Sequence, residues 1–219
     1  MPRFAPRLFT PTEFDRIMAA VKAAEHETSG EIVPYVVAQS DAYMDAVWRA
    51  ALLFALLTLA AFVFVRQFTE IWLPDLNAIA LMVTVSAGIG LLLVNFIPAL
   101  KRLFAGNAML DQRVAQRAAE AFIEEEVFNT RDRTGILIFL SLLERRVLIL
   151  GDAGINAKVE QSEWNDMVQR LVANIRAGKP ADGLIEAIHQ CGLLLQQRGV
   201  TRRADDTDEL ADGPREENR

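Results

Sequence analysis

The chain has 219 residues, 52% of them hydrophobic, and a formal net charge of −6. Setting aside two long apolar runs and a charged end leaves roughly 140 residues for a folded domain, enough for one buried core. No strong basic excess is present, which argues against nucleic-acid binding. The single cysteine, Cys191, excludes an intrachain disulfide and a thiolate metal cluster.

Residues 1–9 read as a flexible lead, with Pro2 and Pro6 opposing regular structure. A soluble segment over 10–40 follows. Thr10, Pro11 and Glu13 form a capping-box start. Phe14, Ile17, Met18 and Val21 recur at helical spacing, which predicts a helix to about Glu27. Residues 31–38 are β-branched and aromatic and predict a strand. Pro34 removes a ladder donor there and favours an edge or a bulge.

Residues 46–100 hold a transmembrane helical hairpin, with spans at about 46–65 and 76–98. A helix needs about 20 mostly apolar residues to cross a bilayer. The first run lies behind a predicted helix and strand, so it reads as a retained span and not as a cleaved signal. Arg49 lies near its start, where it can snorkel. Tyr43 and Trp48 at one end and Phe68 and Trp72 at the other suit interfacial belts. Ser86 and Gly90 have small-xxx-small spacing, which fits packing on the first span or dimerisation. No ionisable side chain lies deep in either span, so the hairpin reads as an anchor and not as a transport path. The connection carries Arg66, Glu70 and Asp75, while the other side offers Arg49, Lys101, Arg102 and Arg113. The positive-inside bias places the soluble domain and both termini in the cytoplasm, on a bacterial inner membrane.

A second soluble segment spans 103–199. A helix is expected over 108–129, with Leu110, Val114, Ala118, Ala121 and Phe122 on one face. A loop at 129–135 follows, then a hairpin of strands at 136–143 and 146–150. Two helices close the segment: one carries Trp164, Val168, Leu171 and Val172, with Ser162 as a possible cap, and ends at Gly178 and Pro180. The other carries Leu184, Ile188, Cys191 and Leu195. Residues 202–219 hold 4 arginines against 7 acids, so 200–219 reads as a disordered acidic tail. The strands before and after the apolar hairpin are joined by a long helical crossover, which favours parallel pairing in one sheet.

Four stretches resemble the TPM domain family, which includes thylakoid-lumen proteins of photosystem II repair and many bacterial membrane proteins. They are Thr28 to Val33, Thr134 to Ser141, Arg145 to Ile155 and Arg176 to Ile188. The resemblance implies an α/β class fold, a TPM-like α/β/α sandwich with a small mixed sheet, here interrupted by the inserted transmembrane hairpin. For some members it also implies an acidic site associated with divalent ions and an acid-phosphatase activity. This chain departs from that pattern. Arg133, Thr134 and Gly135 stand where such members have Asp-Asn-Gly, and Asn156 stands where they end Gly-Tyr-Gly-Leu-Glu. Hard cations need several oxygen ligands, so no metal or other cofactor is expected.

The candidate site is the loop cluster Asp132, Arg133, Thr134 and Asp152, with Asp41 as a possible contributor. A salt bridge or plain solvation is its simplest reading. Cys191 and His189 are two residues apart, on different helical faces, so they form no dyad. Walker, dinucleotide, zinc and Gly-x-Ser-x-Gly patterns are absent from the sequence. The expected role is a non-enzymatic, membrane-anchored binding or assembly factor. Its partners would be the lipid bilayer and a membrane protein, with a homo-oligomer possible. The alternative is a membrane-bound hydrolase in which Asp132 and Asp152 recruit a divalent cation.

Overall fold

The computed structural model describes residues 9–69, 75–200, 210 and 213–217. The chain divides into two compact units, one of residues 1–40 with 113–219 and one of residues 41–112.

The first unit begins with α1 (Pro11–Glu27). Thr10 N–H donates to the Glu13 carboxylate at 2.8 Å, and Glu13 N–H donates to Thr10 Oγ1 at 3.3 Å. The Thr10 N–H and the Thr10 hydroxyl, which also donates to Glu13 Oε2 at 2.8 Å, hold the Glu13 carboxyl below its ordinary range. Ile17, Val21 and Ala24 are its buried stripe. The sheet contains β1 (Glu31–Val37), β2 (Gly135–Ser141), β3 (Arg146–Gly151) and β4 (Arg215–Glu217), in the order β3-β2-β1-β4. β1 runs parallel to β2, as the crossover argument requires, and β2 and β3 form the antiparallel hairpin.

Alternation along the strands builds two cores. Ile32, Val36, Ile136, Ile138 and Leu140 face one side, where they meet Ile17 and Val21 of α1. Trp164 and Leu171 of α7 (Gln161–Arg176) and Leu184, Ile188 and Cys191 of α8 (Pro180–Gln197) complete that core. Val33, Tyr35, Val37, Leu137 and Phe139 face the other side, against Val114, Ala118 and Ala121 of α5 (Asn107–Glu124). The result is an α/β/α sandwich with a four-stranded mixed sheet. β1 and β2 are buried along their full length, as strands covered on both faces must be.

Pro34 is tolerated because of its side of the strand. Ile32 N–H points away from β2 and donates to Glu25 Oε1 at 2.8 Å. Two residues on, Pro34 presents its nitrogen to that same edge, and β4 joins β1 only from Tyr35 onward.

Three expectations are corrected here. The expected tail over 200–219 supplies an edge strand: β4 pairs with Tyr35 to Val37, and Arg215 Nε lies 2.9 Å from Glu125 Oε2. Three ladder partners and an ion pair outweigh the charge-rich composition there. The expected lead ends in a buried anchor, since Phe9 is 2% exposed and belongs to the core of α1, α7 and α8. Residues 1–8, 201–209, 211–212 and 218–219 lie outside the described residues. The α7 start is set by Glu160 and not by Ser162: Glu160 N–H donates to Glu163 Oε2 at 2.9 Å. Arg198 and the Glu160 N–H hold the Glu163 carboxyl below its ordinary range.

The second unit holds α2 (Met44–Phe68), α3 (Leu76–Phe96) and α4 (Pro98–Ala105). Both α2 and α3 are long and apolar enough to cross a membrane. Their apolar side chains face outward: Leu52 is 61% exposed, Val63 62% and Leu81 64%. The helices meet through Thr58, which donates to Ser86 Oγ at 2.7 Å, while Ser86 donates to the Phe54 carbonyl at 3.1 Å. Gly90 lets the backbones approach, since a Cβ there would lie 3.0 Å from the Ala50 carbonyl and 3.1 Å from the Phe54 ring. The small-residue spacing therefore serves packing within the chain. The second apolar run, expected to reach 98, breaks at Ile97, because Pro98 lacks the N–H that would continue α3. Tyr43, expected at an interface, is buried and takes a left-handed conformation with φ 55°. Trp48 and Phe68 are exposed as expected. Trp72 lies outside the described residues.

Candidate functional site

The loop cluster assembles at the end of the sheet where β2 begins and β3 ends. Arg133 has φ 58°, a left-handed conformation that costs a residue with a Cβ roughly 1–2 kcal/mol. This turn aims its guanidinium at Asp152. Nε lies 2.7 Å from Asp152 Oδ2, and Nη2 donates to Oδ1 at 3.1 Å. The Arg133 guanidinium also lies over the Phe128 ring, 5.7 Å from its centroid.

Asp152 is buried and already occupied by the backbone. As the cap of α6 (Ala153–Asn156), its Oδ1 accepts from Ala153 N–H at 2.7 Å. Gly154 lies so close to the loop that a Cβ would sit 2.4 Å from the Asp132 carbonyl and 2.7 Å from that of Arg133. Its N–H donates to Arg133 O at 2.9 Å. Thr134 closes the arrangement: its hydroxyl donates to Ser29 O at 2.6 Å, and its N–H donates to Thr130 Oγ1 at 2.9 Å. Asn156, which stands in the position of an expected acid, donates from its amide to Gly151 O at 2.6 Å.

Of the four residues singled out from sequence, Arg133 and Asp152 pair directly and Thr134 buttresses the same loop. Asp132 contributes its carbonyl to the approach of Gly154. Asp41 does not belong to this set. It follows the other end of β1 in the chain, and its Oδ1 accepts from Tyr43 N–H at 2.7 Å. Among the described residues, no group of three or more His, Cys, Asp or Glu is placed to hold a metal ion. The chemistry that this cluster offers is a guanidinium–carboxylate clamp between two loops.

A second polar cluster lies at the opposite pole, past the carboxyl ends of the parallel strands β1 and β2. Seven-residue strands put it about 20 Å from the first. Glu144 is buried, with its oxygens accepting from Ser40 N–H at 2.8 Å and from the Ser141 hydroxyl. Ser40 Oγ lies 2.7 Å from Ser141 Oγ. Because Ser141 gives its hydrogen to Glu144, Ser40 is the donor of that pair. Beside it, a cavity of about 430 Å³ is lined by Ser141, Arg145, Arg146 and Arg176 with the apolar Leu142 and Val172. Open α/β sheets tend to bind ligands at this pole. The sequence places Ser141 in an apolar strand, and Arg145, Arg146 and Arg176 open two of the family-like stretches, but nothing in it marks the doublet and an arginine 30 residues on as neighbours. The signal available was the Arg145–Arg146 doublet directly after a strand turn.

His189 is exposed and Cys191 is buried beside Met167, so the two are on different faces as expected. Burial pushes the Cys191 thiol up to about 12.

A three-layer α/β/α domain, split in sequence by an apolar helical pair and carrying loop clusters at both poles of its sheet, defines the class of protein. Residues 104–193 match the family model described as the TPM domain. It is similar in fold to the BA42 protein of the psychrophilic bacterium Bizionia argentinensis, solved by NMR. The TM-score is 0.58 at 19% identity, over 97% of each chain. No curated protein matches the sequence.

Proposed function

We propose that this TPM-like protein is a membrane-anchored, non-enzymatic binding or assembly factor for a membrane protein complex. The observation that carries the anchoring is the outward-facing apolar surface of α2 and α3, with Leu52, Leu57, Val63 and Leu81 all more than half exposed. Water penalises such a surface by roughly 25 cal/mol per Å², and a bilayer removes that penalty. The internal Thr58–Ser86 bond satisfies both hydroxyls within the hairpin, as a lipid surrounding requires. Arg49, Lys101 and Arg102 at its base favour a cytoplasmic position for the α/β/α unit.

The Arg133–Asp152 clamp supports the non-enzymatic half of this reading. A cation recruited by Asp152 would have to displace a guanidinium held at 2.7 and 3.1 Å, and the carboxylate also caps α6. Membranes containing the full chain, washed in alkaline carbonate, should retain it in the pellet. Extraction in mild neutral detergent should recover a reproducible membrane-protein partner. Release by carbonate would remove the anchor. A solitary protein across several detergents would remove the assembly role. A reporter fused after Arg219 should read cytoplasmic.

A further inference from the structure

We propose that the cavity beside the β2–β3 turn is a binding site for a phosphate group carried on an apolar body. This goes beyond the anchoring and assembly reading and does not depend on it. The cavity holds about 430 Å³, and its lining includes Arg145, Arg146 and Arg176 with the apolar Leu142, Val172 and Ile175. Three guanidinium groups and no carboxylate belong to that lining.

The fold brings a third arginine, 30 residues on, to the Arg145–Arg146 doublet. Arg146 is the first residue of β3, in register with Ser141, the last of β2. Arg145 closes the connecting turn in a left-handed conformation, φ 56°. That conformation is ordinarily left to glycine or asparagine, so an arginine here bears a steric cost. Arg176 comes from the last turn of α7, which packs against β3. Glu144, the one acid in the turn, is drawn inward by Ser40 N–H and the Ser141 hydroxyl.

The lining selects the ligand class. Guanidinium forks match the tetrahedral oxygens of phosphate in pairs. A phosphate monoester offers three terminal oxygens and nearly two negative charges to three cations, whereas a carboxylate offers two oxygens and one charge. Leu142, Val172 and Ile175 supply an apolar wall that inorganic phosphate leaves unused. A soluble aryl or alkyl phosphate and the headgroup region of an anionic phospholipid share this chemistry.

The test uses the full chain in neutral maltoside micelles, with binding followed by calorimetry. The probes are inorganic phosphate, phenyl phosphate, phenylacetate and dihexanoyl phosphatidic acid below its micellar concentration. Phenyl phosphate should bind at least tenfold more tightly than either inorganic phosphate or phenylacetate, with an affinity that falls as salt rises. Arg176→Gln and Arg145→Gln should each weaken it tenfold or more. Arg170→Gln, an exposed arginine outside this lining, should leave it unchanged. Both cavity variants alter exposed side chains, and an unchanged circular dichroism melt establishes that they fold. Tighter binding of phosphatidic acid than of phenyl phosphate assigns the site to lipid, and the reverse assigns it to a soluble phosphoester. Equal affinity for phenylacetate, or binding indifferent to Arg145 and Arg176, would overturn the proposal.

Discussion

At the scale of single residues, the decisive feature is how buried polar and titratable groups are satisfied. Cys191 is fully enclosed by apolar neighbours, which raise its thiol from 9.0 to about 12. The unfolded thiol ionises first as pH rises, so its contribution to stability is complete below pH 9 and is lost between there and about 12. The folded chain should therefore resist iodoacetamide at pH 8 and react once unfolded in urea. Cys191→Ala should flatten the decline of the melting temperature above pH 9. Fast alkylation of the native protein would contradict this burial. Asp152 poses a different case, a buried side chain held by a clamp and a cap. Asp152→Ala should cost about 1–2 kcal/mol in urea unfolding, mainly from the lost cap. Asp152→Asn keeps a capping oxygen and loses only an ion pair with a half-exposed arginine, so its cost should be well under about 1 kcal/mol. Equal losses would assign the stability to the ion pair instead.

Arg117 shows what the residue scale hides from sequence. It falls three residues after Val114 and four before Ala121, on the apolar stripe of α5, and is 5% exposed. Its guanidinium donates to the Tyr35 hydroxyl and to Glu124, each at 2.9 Å, and lies over the Tyr35 ring. Tyr35 in turn stacks on Phe139. A charge can enter this core because carboxylates meet it there, Glu124 at 2.9 Å and Glu120 at 3.7 Å.

Among the elements, period and punctuation carried most of the information. The helix over Pro11–Glu27, the three longer strands and the two apolar helices follow from spacing, caps and Gly or Pro breaks. What period could not supply was β4, because a three-residue strand in a charge-rich stretch has no alternation to detect. It exists only where the β1 edge waits for it and Glu125 meets Arg215. The close α2–α3 approach was visible in Ser86 and Gly90, but their partner was not. Gly90→Leu should push α3 away from Ala50 and Phe54. We expect a loss of about 1–3 kcal/mol in mixed-micelle unfolding. Gly88→Leu, where a Cβ meets open space, should be close to neutral. Similar effects of the two substitutions would contradict the assigned interface.

For the molecule as a whole, two units rest on different physics. The α/β/α unit is held by two apolar cores that urea weakens. The helical pair is held by interhelical bonds and close packing, which depend far less on apolar burial. Urea titration in maltoside should therefore remove the near-ultraviolet signal of the buried Trp164 while much helical signal persists. A single transition taking both signals together would show that neither unit stands without the other.

By itself the sequence determined the class of fold and the interruption at 46–100, because hydrophobic period and span length are local properties. It also placed Arg133, Thr134 and Asp152 on neighbouring loops, since turn residues bound the strands on either side. Only the tertiary structure decided that Arg133 and Asp152 pair. It alone decided that Phe9 and β4 complete the core and the sheet edge, and that Arg145, Arg146 and Arg176 line one cavity. Those results depend on where distant segments meet, and a guanidinium's partner is set by the folded geometry around it, not by its neighbours along the chain.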